Sequence, residues 1–288
     1  GRQFKLDSET GALSVNPKSA LDADVESDYE LTVAATDDAR RRARAETTIR
    51  IQITSPPADV TKGLVCHYDF ESSSPDSVPD VSGNRNHAKV MTEAGGEPGF
   101  VPGRESSQAV RIAENGHLAI PQTALARLKA GDAISVAFWM KGLRPTMYPV
   151  IDGNDEKGNR VVQVCPWRQA MVWNAGNDKG GKYDSLKKDV PGADASRWTH
   201  WVFTKNAKSG KMAIYKNGKL FCMGVGKKRP LSSLAKMTIG SHTPLSNLAK
   251  RILRADRSKH TATMDEIMIF DRALRLADAK ALCEKSGS

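Results

Sequence analysis

The sequence lacks the short motifs that mark most catalytic and metal-binding sites. It has no CxxC pair, which excludes zinc-ribbon and thioredoxin-like sites. It contains no GxSxG elbow, no P-loop and no GxGxxG fingerprint, and its six histidines are scattered along the chain. No apolar run approaches the length of about 20 residues that a membrane-spanning helix needs, so we expect no membrane insertion.

Cysteine is also scarce, and its use leaves two alternatives open. The four cysteines are Cys66, Cys165, Cys222 and Cys283. In an extracellular protein they could form two disulfides in any of three pairings, among which the sequence does not choose. The alternative is buried free thiols, which Cys66 favours because it shares a period-2 face with Leu64 and Tyr68.

Acidic residues are too few to balance the basic ones, and the net charge of the 288 residues is +10. Residues 1–58 hold 8 Lys and Arg against 10 Asp and Glu, whereas the rest holds 35 against 23. A basic surface of this size favours anionic partners. Two runs, "GKKRP" and "AKRILRADRSKH", supply the predicted anionic-ligand patch: Lys227, Lys228, Arg229, Lys250, Arg251, Arg254 and Arg257.

What the chain does contain is a long series of short strands. Alternating apolar residues, with turn residues at short intervals, predict about a dozen strands after residue 63 and four before residue 55. In "KMAIYKNGKLF" the pair Asn217-Gly218 predicts a two-residue hairpin turn. Only the tail "RLADAKALCEKS" predicts a helix, and the fold class is therefore all-β. "TSPPADVTKG" predicts a linker between two domains.

The first 55 residues resemble the second half of a cadherin-like repeat, a Greek-key β-sandwich. The matching stretches are "FKLDSETGALSV", "LDADVESDYELTVAATD" and "AETTIRIQI". The resemblance implies calcium bound through Asp22, Asp24 and Asp37, although Asp24 replaces the Glu of the family and the "DxNDN" junction is missing. The alternative is solvated loop acids, because calcium takes 6–8 oxygen ligands. Since "GRQFKLDSETG" is typical of the middle of a repeat, we expect a fragment of a longer protein.

The rest of the chain resembles a LamG-like, concanavalin A-like jelly roll of large bacterial secreted or surface proteins. The matching stretches follow one another in order: "YDFE", "DVSGNRNHAKV", "AISVAFWMKG", "RWTHWVFTKNAKSGKMAIYKNGKLF" and "MDEIMIFDRAL". We therefore assign residues 1–55 to a partial cadherin-like repeat, 56–63 to a Pro-rich linker and 64–288 to the jelly roll with a short C-terminal helix. The resemblance also implies a structural calcium that pairs Asp80 with Asp265; an Asx turn and an edge acid are the alternative.

A catalytic function is not expected from this sequence. The β-glucanases of the concanavalin A-like class carry their two catalytic carboxylates on one strand, as in "ExDxxE", and no such run occurs here. The acids of "NDEKGN" fall in a predicted hairpin loop. The strand "MDEIMIF" is expected to place one acid, Asp265 or Glu266, on each face.

Sugar binding fits the polar and aromatic residues between positions 150 and 184. Aromatic rings cover the C–H face of a sugar, and Asn and Asp side chains hydrogen-bond its hydroxyls. Some of these residues have the alternative role of core or turn residues, Trp173 among them. The predicted ligand-binding residues are Asp152, Asn154, Asp155, Trp167, Arg168, Trp173, Asn174, Tyr183 and Asp184.

The leading prediction is therefore a non-catalytic, extracellular module that binds carbohydrate or mediates adhesion. Its partners would be a polysaccharide or cell-surface glycan, with anionic polysaccharide favoured by the basic charge, and other domains of the same long chain. Nucleic acid is not expected, because aromatic residues are not interleaved with the basic runs. A purely structural spacer is the first alternative, and a glycoside-active enzyme of this class is the second.

Overall fold

The chain divides into two units, Gly1–Ala58 and Asp59–Ser288, in a computed structural model. The division falls inside the predicted linker. The structure describes residues 3–16, 21, 23, 28–37, 43–54, 56–92, 99–112, 116–142, 149–167, 169–178, 182–190, 196–240 and 262–285.

The first unit contains two antiparallel pairs of strands, β1 (Phe4–Leu6) with β2 (Leu13–Val15) and β3 (Asp28–Thr36) with β4 (Arg44–Gln52). The β1–β2 turn is held by Asp7, whose carboxylate accepts hydrogen bonds from Thr10 and from the Glu9 backbone. These bonds, those from Thr10 above all, lower the pKa of Asp7.

The second unit contains sixteen described strands and two described helices. The strands are β5 (Leu64–Tyr68), β6 (Ser77–Val78), β7 (Ala88–Thr92), β8 (Gly99–Pro102), β9 (Gln108–Ile112), β10 (Gly116–Ala119), β11 (Ala133–Lys141), β12 (Ile151–Asn154), β13 (Arg160–Trp167), β14 (Ala170–Asn177), β15 (Tyr183–Asp189), β16 (Thr199–Asn206), β17 (Lys211–Lys216), β18 (Lys219–Gly224), β19 (Lys236–Ile239) and β20 (Ala262–Phe270). The helices are α1 (Gln122–Ala130) and α2 (Leu276–Lys285).

These strands form two eight-stranded antiparallel sheets. One has the order β18-β17-β16-β11-β20-β9-β8, with β5 also paired to β20. We call it the helix-covered sheet, because α2 packs on its outer side through Ala279 and Leu282, against Phe270 and Tyr215. The other has the order β15-β14-β13-β12-β19-β10-β7-β6, and we call it the polar-faced sheet.

The core of the second unit lies between the two sheets. Phe138, Trp201 and Phe203 of the helix-covered sheet belong to the same buried cluster as Ile151 and Trp173 of the polar-faced sheet. The rings of Trp173 and Phe203 meet across the sheets, with centroids 5.7 Å apart. This arrangement confirms the predicted β-sandwich.

The hairpin β17–β18 has the turn that the sequence predicts. Asn217 and Gly218 both have positive φ, at 48° and 70°, as a two-residue turn of this type requires. Lys216 and Lys219 are direct partners across the turn. The turn also needs glycine for space, because a Cβ at Gly218 would lie 3.2 Å from the Lys280 Cα.

The helix α2 confirms the predicted C-terminal helix, whereas α1 was not predicted. In α1 the buried residues Ala124, Leu125 and Leu128 have the spacing of one helix face, and Pro121 precedes the first turn. The helix is short and lies between strands, so the surrounding strand pattern obscured it. Within the described part of the chain, neither helix has the length and apolarity to cross a membrane.

A buried ionic network joins the two sheets at one side of the sandwich. The Asp184 carboxylate of β15 accepts hydrogen bonds from the Lys205 ammonium of β16 at 2.6 Å and from the Arg229 guanidinium at 2.7 Å. Lys205, which is fully buried, also donates to the Ala175 carbonyl at 3.2 Å. Burial by itself would raise the pKa of Asp184, but the bonds from Lys205 and Arg229 outweigh it and hold the pKa below its usual range.

The edge strands of the two sheets are joined nearby. The Lys188 ammonium of β15 donates to the Phe221 carbonyl of β18 at 2.6 Å and lies 4.8 Å from the Phe221 ring centre. The two sheets are therefore connected both inside the core and along their open side.

All four cysteines are free thiols in this structure. Cys66 and Cys165 are buried, and burial raises the pKa of each to about 12. Free thiols were the alternative that the Cys66 strand favoured. Cys66 belongs to the core between the sheets, and with pKa values of about 12 both buried thiols stay protonated and unreactive near neutral pH.

Removing the charge of Asp184 is expected to destabilise the second unit. Asp184→Asn leaves the buried Lys205 ammonium without its counter-charge, and breaking a buried pair costs about 3 kcal/mol or more. The free energy of unfolding in urea, followed by tryptophan fluorescence, measures this loss. All five tryptophans lie at positions 139–201, so the signal reports the second unit alone.

The matched control is Asp189→Asn, which neutralises an exposed acid on the same strand. A surface change of this kind is expected to alter the free energy of unfolding by less than about 0.5 kcal/mol. Equal losses in the two variants would contradict a special role for Asp184.

Candidate functional site

A row of polar side chains crosses five neighbouring strands of the polar-faced sheet. The direct partners in the ladder are Ser185 of β15, Asn174 of β14, Gln163 of β13, Asp152 of β12 and Thr238 of β19. Because paired residues lie on the same side of a sheet, the five side chains form one line. At the usual spacing of strands the line is about 19 Å long.

This row faces away from the helix-covered sheet. Side chains alternate along a strand, and the neighbours of the row, among them Ile151, Val162, Trp173 and Ile239, belong to the core between the sheets. The row therefore lies on the opposite side, which we call the polar face.

Hydrogen bonds link Asn174 to Gln163 and Thr238 to the backbone, and one buried oxygen of the row has no donor. The Asn174 amide donates to Gln163 Oε1 at 3.1 Å, and the Thr238 hydroxyl donates to the Gly240 carbonyl at 2.7 Å. Within the described residues, no group donates to Asn174 Oδ1, although Asn174 is only 2% exposed. A buried oxygen without a partner costs about 1–3 kcal/mol, which a donor from a bound ligand would offset.

Larger side chains flank the row on the polar face. Tyr183 lies two residues before Ser185 and is 39% exposed, and the Arg160 guanidinium stacks on its ring at 4.7 Å. Trp167 lies four residues beyond Gln163 on β13 and is half-buried. Two exposed lysines, Lys187 and Lys236, lie two residues from the row on β15 and β19. The face thus combines amides, a carboxylate, two aromatic rings and cations.

The structure brings some of the predicted sugar-binding residues together and separates others. Five of them lie on the polar face: Asp152, Asn154, Trp167, Asn174 and Tyr183. Trp173 points into the core, where its indole N–H donates to the Thr204 carbonyl at 3.0 Å. Asp184 also points inward, to Lys205. Both are out of reach of a ligand on the polar face, because the sheet itself lies between.

Two further predicted positions have other surroundings. Asp155 holds the turn between β12 and β13, where its carboxylate accepts hydrogen bonds from the backbones of Lys157 and Asn159. Burial opposes ionisation there, but the bonds from Asn159 and Lys157 lower the pKa of Asp155. Arg168 lies outside the described residues.

Sequence reasoning missed Arg160, Gln163 and Thr238. Gln163 carried a usable signal, since in "VVQVC" it is the polar position between valines that point to the core. Arg160 and Thr238 join the site only through strand pairing, which no local pattern reveals.

The predicted anionic-ligand patch is described only in part. Lys227 and Lys228 lie on a loop that contacts the turn after β16, where the Lys227 backbone N–H donates to the Gly210 carbonyl at 2.8 Å. Arg229 is bound to Asp184 and lies 3.6 Å from Asp178. The remaining members, Lys250, Arg251, Arg254 and Arg257, lie outside the described residues.

The predicted calcium ligands make separate contacts. The Asp80 carboxylate accepts hydrogen bonds from the backbone N–H groups of His67, Ser82 and Asn86 and from the Ser82 hydroxyl. Asp265 accepts one from the Ser107 hydroxyl at 2.8 Å. These contacts give each acid a structural role, and a calcium ion shared by the pair stays a prediction.

In the first unit, the Asp37 carboxylate accepts a hydrogen bond from the Ala43 backbone at 3.0 Å, while Asp22 and Asp24 lie outside the described residues. Where the structure is described, no group of three or more His, Cys, Asp or Glu residues is arranged to hold a metal ion.

The class of protein defined by this sandwich is the concanavalin A-like jelly roll. The model of the concanavalin A-like lectin/glucanases superfamily matches residues 113–280, more than half of the chain. The chain therefore belongs to this superfamily. The cadherin domain model matches residues 1–54, which confirms the predicted cadherin-like segment. None of the curated proteins compared with the chain matches it.

Solved structures of toxin binding domains share the fold. The binding domain of Paraclostridial Mosquitocidal Protein 1 has a TM-score of 0.60 at 15% identity, over 79% of this chain and 53% of that chain. The binding domain of botulinum neurotoxin DC, in complex with rat synaptotagmin II, has a TM-score of 0.59 at 16% identity, over 79% and 52%. Its complex with SialylT has a TM-score of 0.57 at 16% identity, over 78% and 51%. The chain spans about half the length of these structures.

Two tryptophan variants are expected to separate core from surface. Trp173→Ala removes a fully buried ring and its hydrogen bond to Thr204, and should lower the free energy of unfolding by about 3–5 kcal/mol. Trp167→Ala, on the polar face, should cost clearly less because its ring is already half in solvent. Urea unfolding measures both, and a larger loss for Trp167→Ala would place the wrong tryptophan in the core.

Proposed function

We propose that the second unit is a non-catalytic carbohydrate-binding module and that its polar face is the glycan-binding surface. The observation that carries this proposal is the line Asn174–Gln163–Asp152, with an unpartnered buried oxygen on Asn174. Vicinal hydroxyls of a sugar both donate and accept hydrogen bonds, and side-chain amides and carboxylates match them in both senses.

The flanking rings give the proposed site its apolar contacts. At the usual rise of a strand, Trp167 is about 13 Å from Gln163 on one side, and Tyr183 is about 7 Å from Ser185 on the other. A single sugar ring cannot touch both aromatic side chains and the row between them. The spacing therefore supports an oligosaccharide or polysaccharide as the ligand.

The charges on the polar face support an acidic glycan. Arg160, Lys187 and Lys236 surround a row that contains one acid, Asp152, and the chain as a whole is basic. Sulfate or uronate groups of a polysaccharide would pair with these cations. Exposed pairs of this kind weaken with salt, so an acidic ligand would bind less tightly at high ionic strength.

The superfamily and the cadherin-like segment support an extracellular location, in which the chain would act in adhesion between a cell surface and a glycan. The similar toxin structures are binding domains by their descriptions, which supports a binding role for this fold. A structural spacer without glycan binding is the alternative, and it predicts no affinity for any glycan.

Binding should depend on the polar face. Wild-type protein is expected to bind at least one uronate or sulfated polysaccharide in affinity electrophoresis at low salt, and less tightly at 0.5 M salt. Asn174→Ala and Tyr183→Ala should each weaken binding about tenfold or more, because they remove a hydrogen-bonding group and a stacking ring.

The matched control for Tyr183→Ala is Leu220→Ala, which truncates a similarly exposed residue, 37% exposed, on the helix-covered sheet. Unfolding curves check that each variant is folded. If the wild-type protein bound neither neutral nor acidic polysaccharides, the result would favour the alternative of a structural spacer. Release of reducing ends from a polysaccharide would contradict the non-catalytic role.

A further inference from the structure

A second concave site lies on the outer side of the helix-covered sheet, on the opposite side of the sandwich from the polar face. It is a cavity of about 390 Å³ between β5, the β8–β9 turn, the middle of β20 and the end of α2. Its lining residues are Val60, Thr61, Leu64, His67, Arg104, Glu105, Ser107, Asp265, Glu266, Met268, Leu282 and Lys285. The volume lies near the lower end of the range typical of small-ligand sites, about 300–1,000 Å³.

The cavity exists because strand β20 is irregular in its middle. Glu266 has φ of 51°, and the pairing of β11 with β20 shifts between Ala137 and Trp139. Side chains therefore do not alternate at this point, and Asp265 and Glu266 both line the cavity. The expectation of one acid on each face was wrong, because it assumed a regular strand.

Backbone strain is concentrated at this cavity. Glu105, Ser106 and Glu266 have φ of 47°, 73° and 51°, which non-glycine residues rarely adopt. Nearby Gly103 leaves room for Asp265, since a Cβ there would lie 2.8 Å from the Asp265 carboxylate. Strained residues persist where the surrounding structure holds them, and they gather at ligand-binding sites.

The lining divides into an apolar wall and a polar wall. Leu64, Met268 and Leu282 supply apolar surface that continues the cluster beneath α2. The polar wall is formed by the β8–β9 turn and the middle of β20. A ligand that fits both walls must itself have an apolar face and a hydrogen-bonding edge.

Two of the acids of the polar wall already have side-chain partners. Glu266 Oε2 lies 2.7 Å from His67 Nε2, and Glu105 Oε1 lies 3.0 Å from the Arg104 guanidinium, which stacks on the Trp139 ring at 3.6 Å. A cationic ligand would meet Arg104 and Lys285, and an anionic ligand would meet Glu105, Asp265 and Glu266. The carboxylates of Glu266 and Glu105 keep lone pairs that can still accept hydrogen bonds from uncharged hydroxyl groups.

We propose that this cavity binds a neutral sugar unit, with the C–H face of the ring on Met268 and Leu282 and its hydroxyls on Glu266 and Glu105. This second site goes beyond the proposed function, because it differs from the polar face in position, in ligand charge and in the residues that form it. A module with glycan sites on both outer sides of its sandwich can hold two glycan chains at once.

The test uses the full chain labelled with ¹³C at the methionine methyl groups. Met268 lines the cavity, whereas Met212 is buried between the sheets. Titration with glucose, galactose, N-acetylglucosamine and their β-linked disaccharides is expected to shift the Met268 methyl signal for at least one of them, and to leave Met212 unchanged. Met268→Leu and Met212→Leu assign the two signals.

The decisive variant is Glu266→Asn, because asparagine tolerates positive φ while the shorter amide removes the acceptor from the cavity. It should weaken sugar binding at least about tenfold. Asp132→Asn is the matched control, since Asp132 has φ of 50° and does not line the cavity. This control should bind as the wild type does.

The polar-face variants Asn174→Ala and Tyr183→Ala separate the two proposals. They should leave the Met268 shift intact even if they abolish polysaccharide binding, and loss of the shift in these variants would overturn the second site. No shift with any of the sugars would also overturn it. A Met268 shift caused by calcium chloride alone, and not by sugar, would show an ion site instead.

Discussion

The contact between Asp184 and Lys205 is the interaction on which the rest of the second unit depends. It places a buried ion pair between two sheets whose facing side chains are mostly apolar, and apolar contacts alone tolerate sliding. Asp184 can meet both Lys205 and Arg229 in only one placement of β15 over β16 of the other sheet, so the pair fixes that placement. The polar face follows from it, because a strand displaced by one residue would turn Ser185 inward and Asp184 outward.

The two proposed sites differ in how the alternation of side chains along a strand produces them. On the polar face, the site depends on regular alternation. Side chains of alternate residues point to this face, and one of them from each of five paired strands forms the row. On the outer side of the helix-covered sheet, the site depends on an interruption of that alternation. Because Glu266 has a positive φ, the side chains of Asp265 and Glu266 both line the same cavity. Regular pairing produces an extended surface for a chain, and an irregularity produces a pocket for a single ring.

Most of the fold could be predicted from the sequence, as could about half of the residues on the polar face. Period-2 patterns and the Asn217-Gly218 turn are local signals, and the strands and the hairpin follow from them. Trp173 and Asp184 were predicted as ligand contacts because their residue types suit sugars, yet their side chains point into the core. Which residues of β14 and β15 point inward depends on the phase of alternation along each strand. The bulge at Gly176 shifts the pairing of these strands and obscures that phase in the sequence. Gln163 meets Asp152 across the β12–β13 hairpin, whereas Thr238 meets it only through pairing between strands that are far apart in sequence. Glu266 could not be predicted because a bulge depends on the partner strand as well as on its own residues.

The contact of Lys188 with Phe221 has a consequence for how such modules coexist. Edge strands expose unpaired backbone groups that can recruit strands from another molecule, which is a common start of aggregation. Here the edge strands β15 and β18 are tied together by Lys188, and both carry lysine, two on β15 and one on β18. In a polypeptide that carries modules of this kind in series, the like charges at these edges would oppose strand pairing between neighbouring copies.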